Sequence, residues 1–259
     1  MHLYELPFPS LKEPAFNPRI PARLAESDSL FTIIQRKDLL LHHPYDSFFA
    51  VASFLSEAVK DPGVLAIKQT LYRSSGKSPI IELLIKASEA GKHVTAVVEL
   101  KARFDEKNNI IWARRLERAG VNVVYGFVGL KTHCKACLVV RKEGDKITRY
   151  VHLSTGNYNA QTAKFYTDLG FFTADSDIGK DVSLLFNLLT GFNRFRLHER
   201  GDEYEKESTF KKVCIAPTDL REKFLSEINR VVRKHSKENP GLIFAKLNAL
   251  ADGSIIDAL

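Results

Sequence analysis

The 259-residue sequence contains no run of eighteen apolar residues, so no stretch of it can form a membrane-spanning helix. Its first residues do not follow the charged-then-apolar order of a secretory signal. Three cysteines, Cys134, Cys137 and Cys214, make no disulfide framework. That scarcity points to a reducing, cytoplasmic setting, at most peripheral to the inner membrane face. Cys134-Lys-Ala-Cys137 adjoins His133, but no second C-x-x-C and no H-x-x-x-H completes a zinc site. On a strand the two cysteines would also face opposite ways. No group of carboxylates resembles a dedicated cage for a hard cation.

What is abundant is core-forming and basic. Hydrophobic residues make up 44% of the chain, enough to bury a sizeable core. Lys+Arg 38 against Asp+Glu 31 gives a net charge of +7 and a pI near 9.2. That balance favours a polyanionic partner, whether nucleic acid, nucleotide or inorganic polyanion.

The first 24 residues carry Pro7, Pro9, Pro14, Pro18 and Pro21, which predicts an extended arm or connector. Residues 25–200 alternate strand and helix signals. Leu39–Leu41 reads as a short strand, and Tyr45–Lys60 as an amphipathic helix stopped by Asp61-Pro-Gly63. Val64–Leu71 and His93–Leu100 read as buried strands flanking a helix with Ser78 as cap, Pro79 at its first position and Gly91 at its end. A helix over Lys107–Ala119 closed by Gly120 precedes a strand at Val121–Phe127. A helical turn at Thr162–Phe165, a strand at Thr167–Thr173 and a helix at Asp177–Leu189 follow. The βαβαβ opening predicts an α/β fold: a mixed, mostly parallel sheet with helices packed on it.

Beyond a charged boundary at Arg196–Phe210, residues 201–259 repeat the opening weakly. Pro44-Tyr-Asp and Phe54-Leu-Ser-Glu57 return as Pro217-Thr-Asp and Phe224-Leu-Ser-Glu227. Pro62-Gly-Val-Leu-Ala-Ile-Lys68 returns as Pro240-Gly-Leu-Ile-Phe-Ala-Lys246. The expectation is a partial second copy of the unit, a βαβ stub that stops early.

Chemistry concentrates between Gly129 and Asn159. Lys131, His133 and Lys135 are two apart, so an extended strand would show all three on one face. Glu143-Gly-Asp-Lys146 is a turn, and Ile147–Leu153 returns as the second strand of a hairpin. The hairpin feeds a small-residue loop, Ser154–Asn159, in which Asn157 and Asn159 add amides. Taken alone, a strand histidine between lysines is a solvated edge. Beside that loop it becomes a candidate nucleophile for a phosphoryl group. Arg73 and Arg103 leave neighbouring parallel strands at the same edge, where a guanidinium pair can grip one phosphate.

Five ordered motifs make the reading specific: T-L-Y-R (Thr70–Arg73), E-L-K-A-R-F-D-E (Glu99–Glu106), G-L-K-T-H-C-K (Gly129–Lys135), T-G-N-Y-N (Thr155–Asn159) and Y-T-D-L-G (Tyr166–Gly170). In this order they resemble bacterial polyphosphate kinase, which belongs to the phospholipase D-like superfamily. The resemblance implies one phospholipase D-like catalytic lobe and the start of a second. It also implies N-terminal, head and second C-terminal domains elsewhere in a longer chain, and a homo-oligomer at full length. By the same resemblance His133 is the phosphorylated residue, Arg73 and Arg103 form the magnesium–phosphate site, and Tyr166 contacts ATP. Guanidinium has no lone pair for a metal, so the arginines would reach Mg²⁺ through phosphate. Lys131 and Lys135 are candidates for stabilising transferred charge. The superfamily's histidine-x-lysine pattern is present at His133 and Lys135, but Val140 stands where its aspartate belongs.

The implied activity is reversible transfer of the γ-phosphate of ATP to polyphosphate through phosphohistidine, with Mg²⁺ arriving on the nucleotide and no nucleic acid involved. Cationic neighbours favour the neutral imidazole that attack needs. Alone, this chain is expected to make little or no polymer. Two other readings remain open at this stage: a phospholipase D-like phosphodiesterase or nuclease, and a non-catalytic module that binds polyanions.

Overall fold

Apolar residues set the strands and their neighbours set where each one ends. The computed structural model describes residues 6–14, 16–25, 29–72, 78–99, 106–126, 131–191, 210–247 and 249–259. The chain divides into two units, residues 1–203 and 204–259.

In the first unit two short helices, α1 (Ala22–Ala25) and α2 (Leu30–Arg36), precede the sheet. Seven residues are too few to show a helical period, and nothing in the sequence announced α2. Its start is made by side chains: Ser29 Oγ accepts the Phe31 N–H and Glu57 accepts the Leu30 N–H at 2.8 Å. Phe31 then packs on Phe54 and Tyr150, with ring centroids 5.6 and 4.5 Å away. Strand β1 (Leu39–His43) alternates buried Leu39, Leu41 and His43 with exposed Leu40 and His42, and runs two residues past the expected end. Helix α3 (Phe49–Lys60) begins later than the expected Tyr45. The Asp46 carboxylate holds the preceding turn by accepting from His42 N at 2.8 Å and Arg19 Nε at 2.6 Å.

Next come β2 (Val64–Leu71), α4 (Pro79–Glu89), β3 (His93–Val98), α5 (Glu106–Arg118) and β4 (Asn122–Tyr125). Pro79 opens α4 as expected, but the Ser78 hydroxyl makes no cap hydrogen bond and lies buried without a partner among the described residues. Gly91 (φ 80°) and Gly120 (φ 81°) end the two helices in the left-handed conformation that favours glycine. The hairpin of β5 (Ala136–Glu143) and β6 (Lys146–Ser154) follows, then β7 (Asp168–Thr173) and α6 (Ser176–Leu189).

The seven strands lie in the order β1-β7-β6-β5-β2-β3-β4. β2 pairs parallel with β3, and β3 with β4, as the βαβαβ pattern requires. The other four pairings are antiparallel, so the sheet is mixed but not mostly parallel. The reason is where the hairpin goes: β5 docks antiparallel beside β2 rather than beside β4, and β6, β7 and β1 extend the sheet from it.

One face of the sheet meets α2, α3, α4 and α5 in a core that includes Phe31, Phe54, Leu84, Leu116, Val139 and Phe172. Helix α6 covers the opposite face. Arg149 and Lys68 alternate with core residues Tyr150 and Ile67, and they reach Ser183 and Asn187 of α6 at 3.0 and 3.2 Å. Among the described residues no helix is long and apolar enough to cross a membrane.

In the second unit α7 (Leu220–Lys234) and α8 (Gly253–Ala258) are joined by Arg221, which pairs with Asp252 at 3.0 Å and donates to Ser254 at 2.8 Å. The repeat leads to the expectation of a βαβ stub, but residues 241–247, which echo the β2 sequence, form no strand. A strand needs a partner to satisfy its backbone, and no other strand exists among the described residues of this unit.

Candidate functional site

The pairings decide where the chemistry-bearing segments meet. β2, β3, β4 and β6 end at one edge of the sheet, and β5 and β7 begin there. That edge therefore gathers Tyr72, Glu99, Gly126, Lys131–Lys135, Ser154–Asn159 and Tyr166.

The His133 segment is not a strand. β5 starts only at Ala136, because the Thr70 hydroxyl takes over where a ladder partner would stand. Thr70 Oγ1 accepts from Ala136 N at 2.9 Å and donates to Ala136 O at 3.3 Å. The expected common face of Lys131, His133 and Lys135 is thus replaced by a segment outside the strand in which Lys131 and His133 are exposed and Lys135 is only 6% exposed.

The three side chains still converge, through Tyr72. Its ring meets the His133 imidazole edge-on, at 5.2 Å between centroids and 78° between planes. The ammonium groups of Lys131 and Lys135 lie 5.4 and 5.3 Å from the same ring, within cation–π range. Lys135 Nζ stands 3.0 Å from His133 Nδ1, 3.1 Å from Nε2 and 2.6 Å from the His133 carbonyl oxygen. It can donate to whichever ring nitrogen carries the lone pair while also holding the backbone. A nearly buried ammonium is tolerable because its N–H groups are occupied in this way.

The loop residues have more local work. Asn159 is buried, and its Oδ1 accepts from Gln161 N at 3.0 Å and Thr162 N at 3.3 Å, which caps the 3₁₀ turn at Thr162–Lys164. Asn157 Oδ1 is buried without a partner among the described residues. Tyr166 is 62% exposed, just before β7, with its ring in solvent. Arg73 and Arg103 lie outside the described residues. Burial pushes both the Cys134 and Cys137 thiols up, so neither is a thiolate near neutral pH. Among the described residues no three His, Cys, Asp or Glu side chains group closely enough to hold a metal.

The family model for polyphosphate kinase C-terminal domain 1 matches residues 29–195, and that for C-terminal domain 2 matches residues 213–259. The chain belongs to the polyphosphate kinase family. Polyphosphate kinase from Mycobacterium avium (strain 104) is 49% identical over 261 residues, covering 99% of this chain and 34% of the relative. That from Mycobacterium leprae (strain TN) is 50% identical over 265 residues, with 99% and 34% covered. The crystal structure of polyphosphate kinase from Porphyromonas gingivalis aligns with a TM-score of 0.74 and 36% identity, covering 89% of this chain and 37% of that one. The chain thus spans about a third of the length of the curated relatives it matches.

Within this polyphosphate kinase fold the sequence reading missed several residues that shape the site. Tyr72 and Glu99 sat inside quoted motifs with no role attached. His152 and His43 were passed over because nothing in the pattern marks them as neighbours. Both are buried, both leave Nε2 without a hydrogen bond among the described residues, and both crowd Gly170. An added Cβ at Gly170 would stand 3.0 Å from His152 Nε2 and 3.2 Å from His43 Nε2, so the missing side chain leaves room for the two imidazoles. His152 Nδ1 is 2.9 Å from the Tyr158 hydroxyl, which donates to the His152 carbonyl at 3.2 Å. His43 Nδ1 lies 2.8 Å from the Asp46 carbonyl oxygen.

Burial, reinforced by His43, pushes His152 down from 6.5 to about 3. Below pH 6.5 the unfolded chain therefore takes up a proton at His152 that the folded chain refuses. The contribution to stability is complete above pH 6.5 and erodes as the pH falls toward about 3, by about 1.4 kcal/mol per pH unit. Urea melts between pH 7 and pH 4 are expected to show that slope, and His152→Asn, which cannot titrate, is expected to flatten it by one proton.

Proposed function

We propose that this chain carries the phosphoryl-accepting nucleophile of an ATP:polyphosphate phosphotransferase, with His133 as that nucleophile. The observation that carries the reading is the arrangement around His133: an exposed imidazole at a sheet edge, with one ammonium 3.0–3.1 Å from its ring nitrogens and a second across the same tyrosine. Family membership supplies the reaction class.

The ring nitrogen that carries the lone pair attacks the γ-phosphorus of ATP as Lys135 turns its N–H from that lone pair to the phosphoryl oxygens. The N–P bond forms, the bond from Pγ to the β–γ bridging oxygen breaks, and ADP leaves with the electron pair. A terminal oxygen of polyphosphate then attacks the phosphorus, the P–N bond breaks, and the chain grows by one unit. The reverse sequence makes ATP. Phosphoryl transfer depends mainly on positioning and on charge facing the equatorial oxygens. Lys135 and Lys131 supply that charge, with Arg73 and Arg103 proposed to grip phosphate beside them. Tyr166, exposed at the same edge, is proposed to contact the nucleotide. Mg²⁺ would come with ATP and neutralise phosphate charge, with Arg73 and Arg103 proposed to reach it through phosphate.

Labelling with γ-³²P-ATP tests this. Expected is label on His133 in an acid-labile, base-stable bond that polyphosphate chases into polymer. Cleavage of a phosphodiester without label supports the diesterase reading, and salt-sensitive polyphosphate binding with neither supports a binding module. The isolated 259 residues are expected to make little polymer, because they span about a third of their relatives' length and transfer needs the whole charge array.

A further inference from the structure

His133 can accept a phosphoryl group in line only if the backbone beside it is fixed. On its C-terminal side, Ser154 N donates to the Lys135 carbonyl at 3.0 Å, and Thr70 holds Ala136. On its N-terminal side the holder is Glu99. Its carboxylate is buried, and Oε2 accepts the Thr132 N–H at 2.8 Å.

Glu99 is itself held from both directions. Its N–H donates to the Leu71 carbonyl at 3.0 Å. Its carbonyl accepts from Asn109 Nδ2 at 2.9 Å, and the same amide donates to the Tyr72 carbonyl at 3.0 Å. Asn109, from α5, thereby ties the ends of β2 and β3 together, and Glu99 projects from that fixed point. Gly126 at the end of β4 leaves the necessary space: an added Cβ would stand 2.8 Å from Thr132 Oγ1 and 3.3 Å from Glu99 Oε2.

Electrostatically this is the wrong residue for the place. A carboxylate beside cations that face phosphate opposes anion binding. Its benefit is geometric: one side-chain oxygen fixes the Thr132 N–H at 2.8 Å. We propose that Glu99 is a positioning residue for phosphoryl transfer, clamping Thr132 so that the adjacent His133 imidazole stays in line with the incoming phosphate. The proposal rests on the phosphohistidine reading and adds to it the source of the nucleophile's placement.

The test compares Glu99→Ala with Glu99→Gln in the protein, since glutamine keeps an acceptor oxygen and loses only the charge. Glu99→Ala is expected to slow labelling of His133 by γ-³²P-ATP about 100-fold, the scale set by a misplacement near 1 Å. Glu99→Gln is expected to stay within about threefold of wild type, and polyphosphate affinity to hold or tighten in both variants as negative charge is removed. Wild-type labelling in Glu99→Ala, or an equal loss in Glu99→Gln with the fold intact, overturns the proposal. Amide exchange at Thr132 reads the clamp without any activity. It is expected to quicken at least about tenfold in Glu99→Ala but not in Glu99→Gln, following the opening of a local hydrogen bond. Unchanged exchange in Glu99→Ala overturns the clamp even if His133 is labelled, whereas altered exchange with no label on wild-type His133 retires the phosphohistidine reading instead. If Glu99→Ala does not fold, Gly126→Ala takes its place: its Cβ crowds Thr132 Oγ1 and Glu99 Oε2 together, so slowed labelling and quickened Thr132 exchange are expected, and wild-type values of both overturn the proposal.

Discussion

In a protein that carries the remaining polyphosphate kinase domains, replacing His133 by alanine is expected to remove covalent labelling by ATP and to cut polyphosphate synthesis by on the order of 10⁴–10⁶, the scale seen when a nucleophile that acts as part of a unit is deleted. Nothing else in the described site can take its place. The neighbouring thiol of Cys134 is pushed up by burial, and the nearby amines of Lys131 and Lys135 are charged donors without a lone pair. The reverse reaction, ATP from polyphosphate and ADP, is expected to fall equally, because the proposed mechanism takes both directions through one intermediate. Stability is expected to move by less than about 0.5 kcal/mol, since His133 is exposed. Thermal melts would check that the loss is chemical. Full synthesis by a folded His133→Ala protein would remove this histidine from the mechanism.

Lys135→Met is expected to separate stability from activity. Methionine keeps the apolar stem in its nearly buried slot and deletes the ammonium that contacts both ring nitrogens and the His133 carbonyl. Removing one preorganised donor from a transition-state charge costs about 10²–10³ in rate. Replacing a buried charge with an apolar side chain of similar shape is often neutral or stabilising, so unfolding free energy is expected to change by no more than about 1 kcal/mol. Polyphosphate binding is expected to weaken and to lose part of its salt dependence, because one cation fewer faces the anion. Single-turnover labelling beside denaturant melts reads both quantities. A rate within threefold of wild type would mean that Lys135 braces the backbone and does not act on phosphate.

The local signals were accurate where local physics governs. Val64–Leu71 and His93–Val98 are runs of β-branched and apolar residues, and their parallel pairing followed from the helix between them. Pro79 and Gly91 bracket α4 because one fits a first helical turn and the other accepts a positive φ. The hairpin turn at Gly144 was legible for the same reason. Errors fell where a distant side chain intervenes. Asp46 delays α3 by gripping His42 and Arg19, and Thr70 makes β5 begin only after the lysines. Helix α2 owes its place to Glu57, 27 residues away, and to the Phe31 contacts with Phe54 and Tyr150. No pattern within α2 encodes either.

The same division runs through the site. Residue type and spacing make His133, Lys131 and Lys135 candidates, because nucleophile and cation chemistry is a property of the side chains themselves. Five ordered motifs were sufficient to place the chain in its family, because an order of several short motifs is improbable by chance. Only the tertiary structure decided that the three residues meet at Tyr72 rather than along a strand face, that Asn159 holds the start of the 3₁₀ turn, and that Glu99 holds the backbone beside His133. It alone also brought His43 and His152, 109 positions apart, against Gly170. The physical reason is the reach of each interaction. Propensity, capping and turn chemistry act over a few residues and can be read in order, whereas burial and strand pairing join residues far apart and exist only once the sheet has closed.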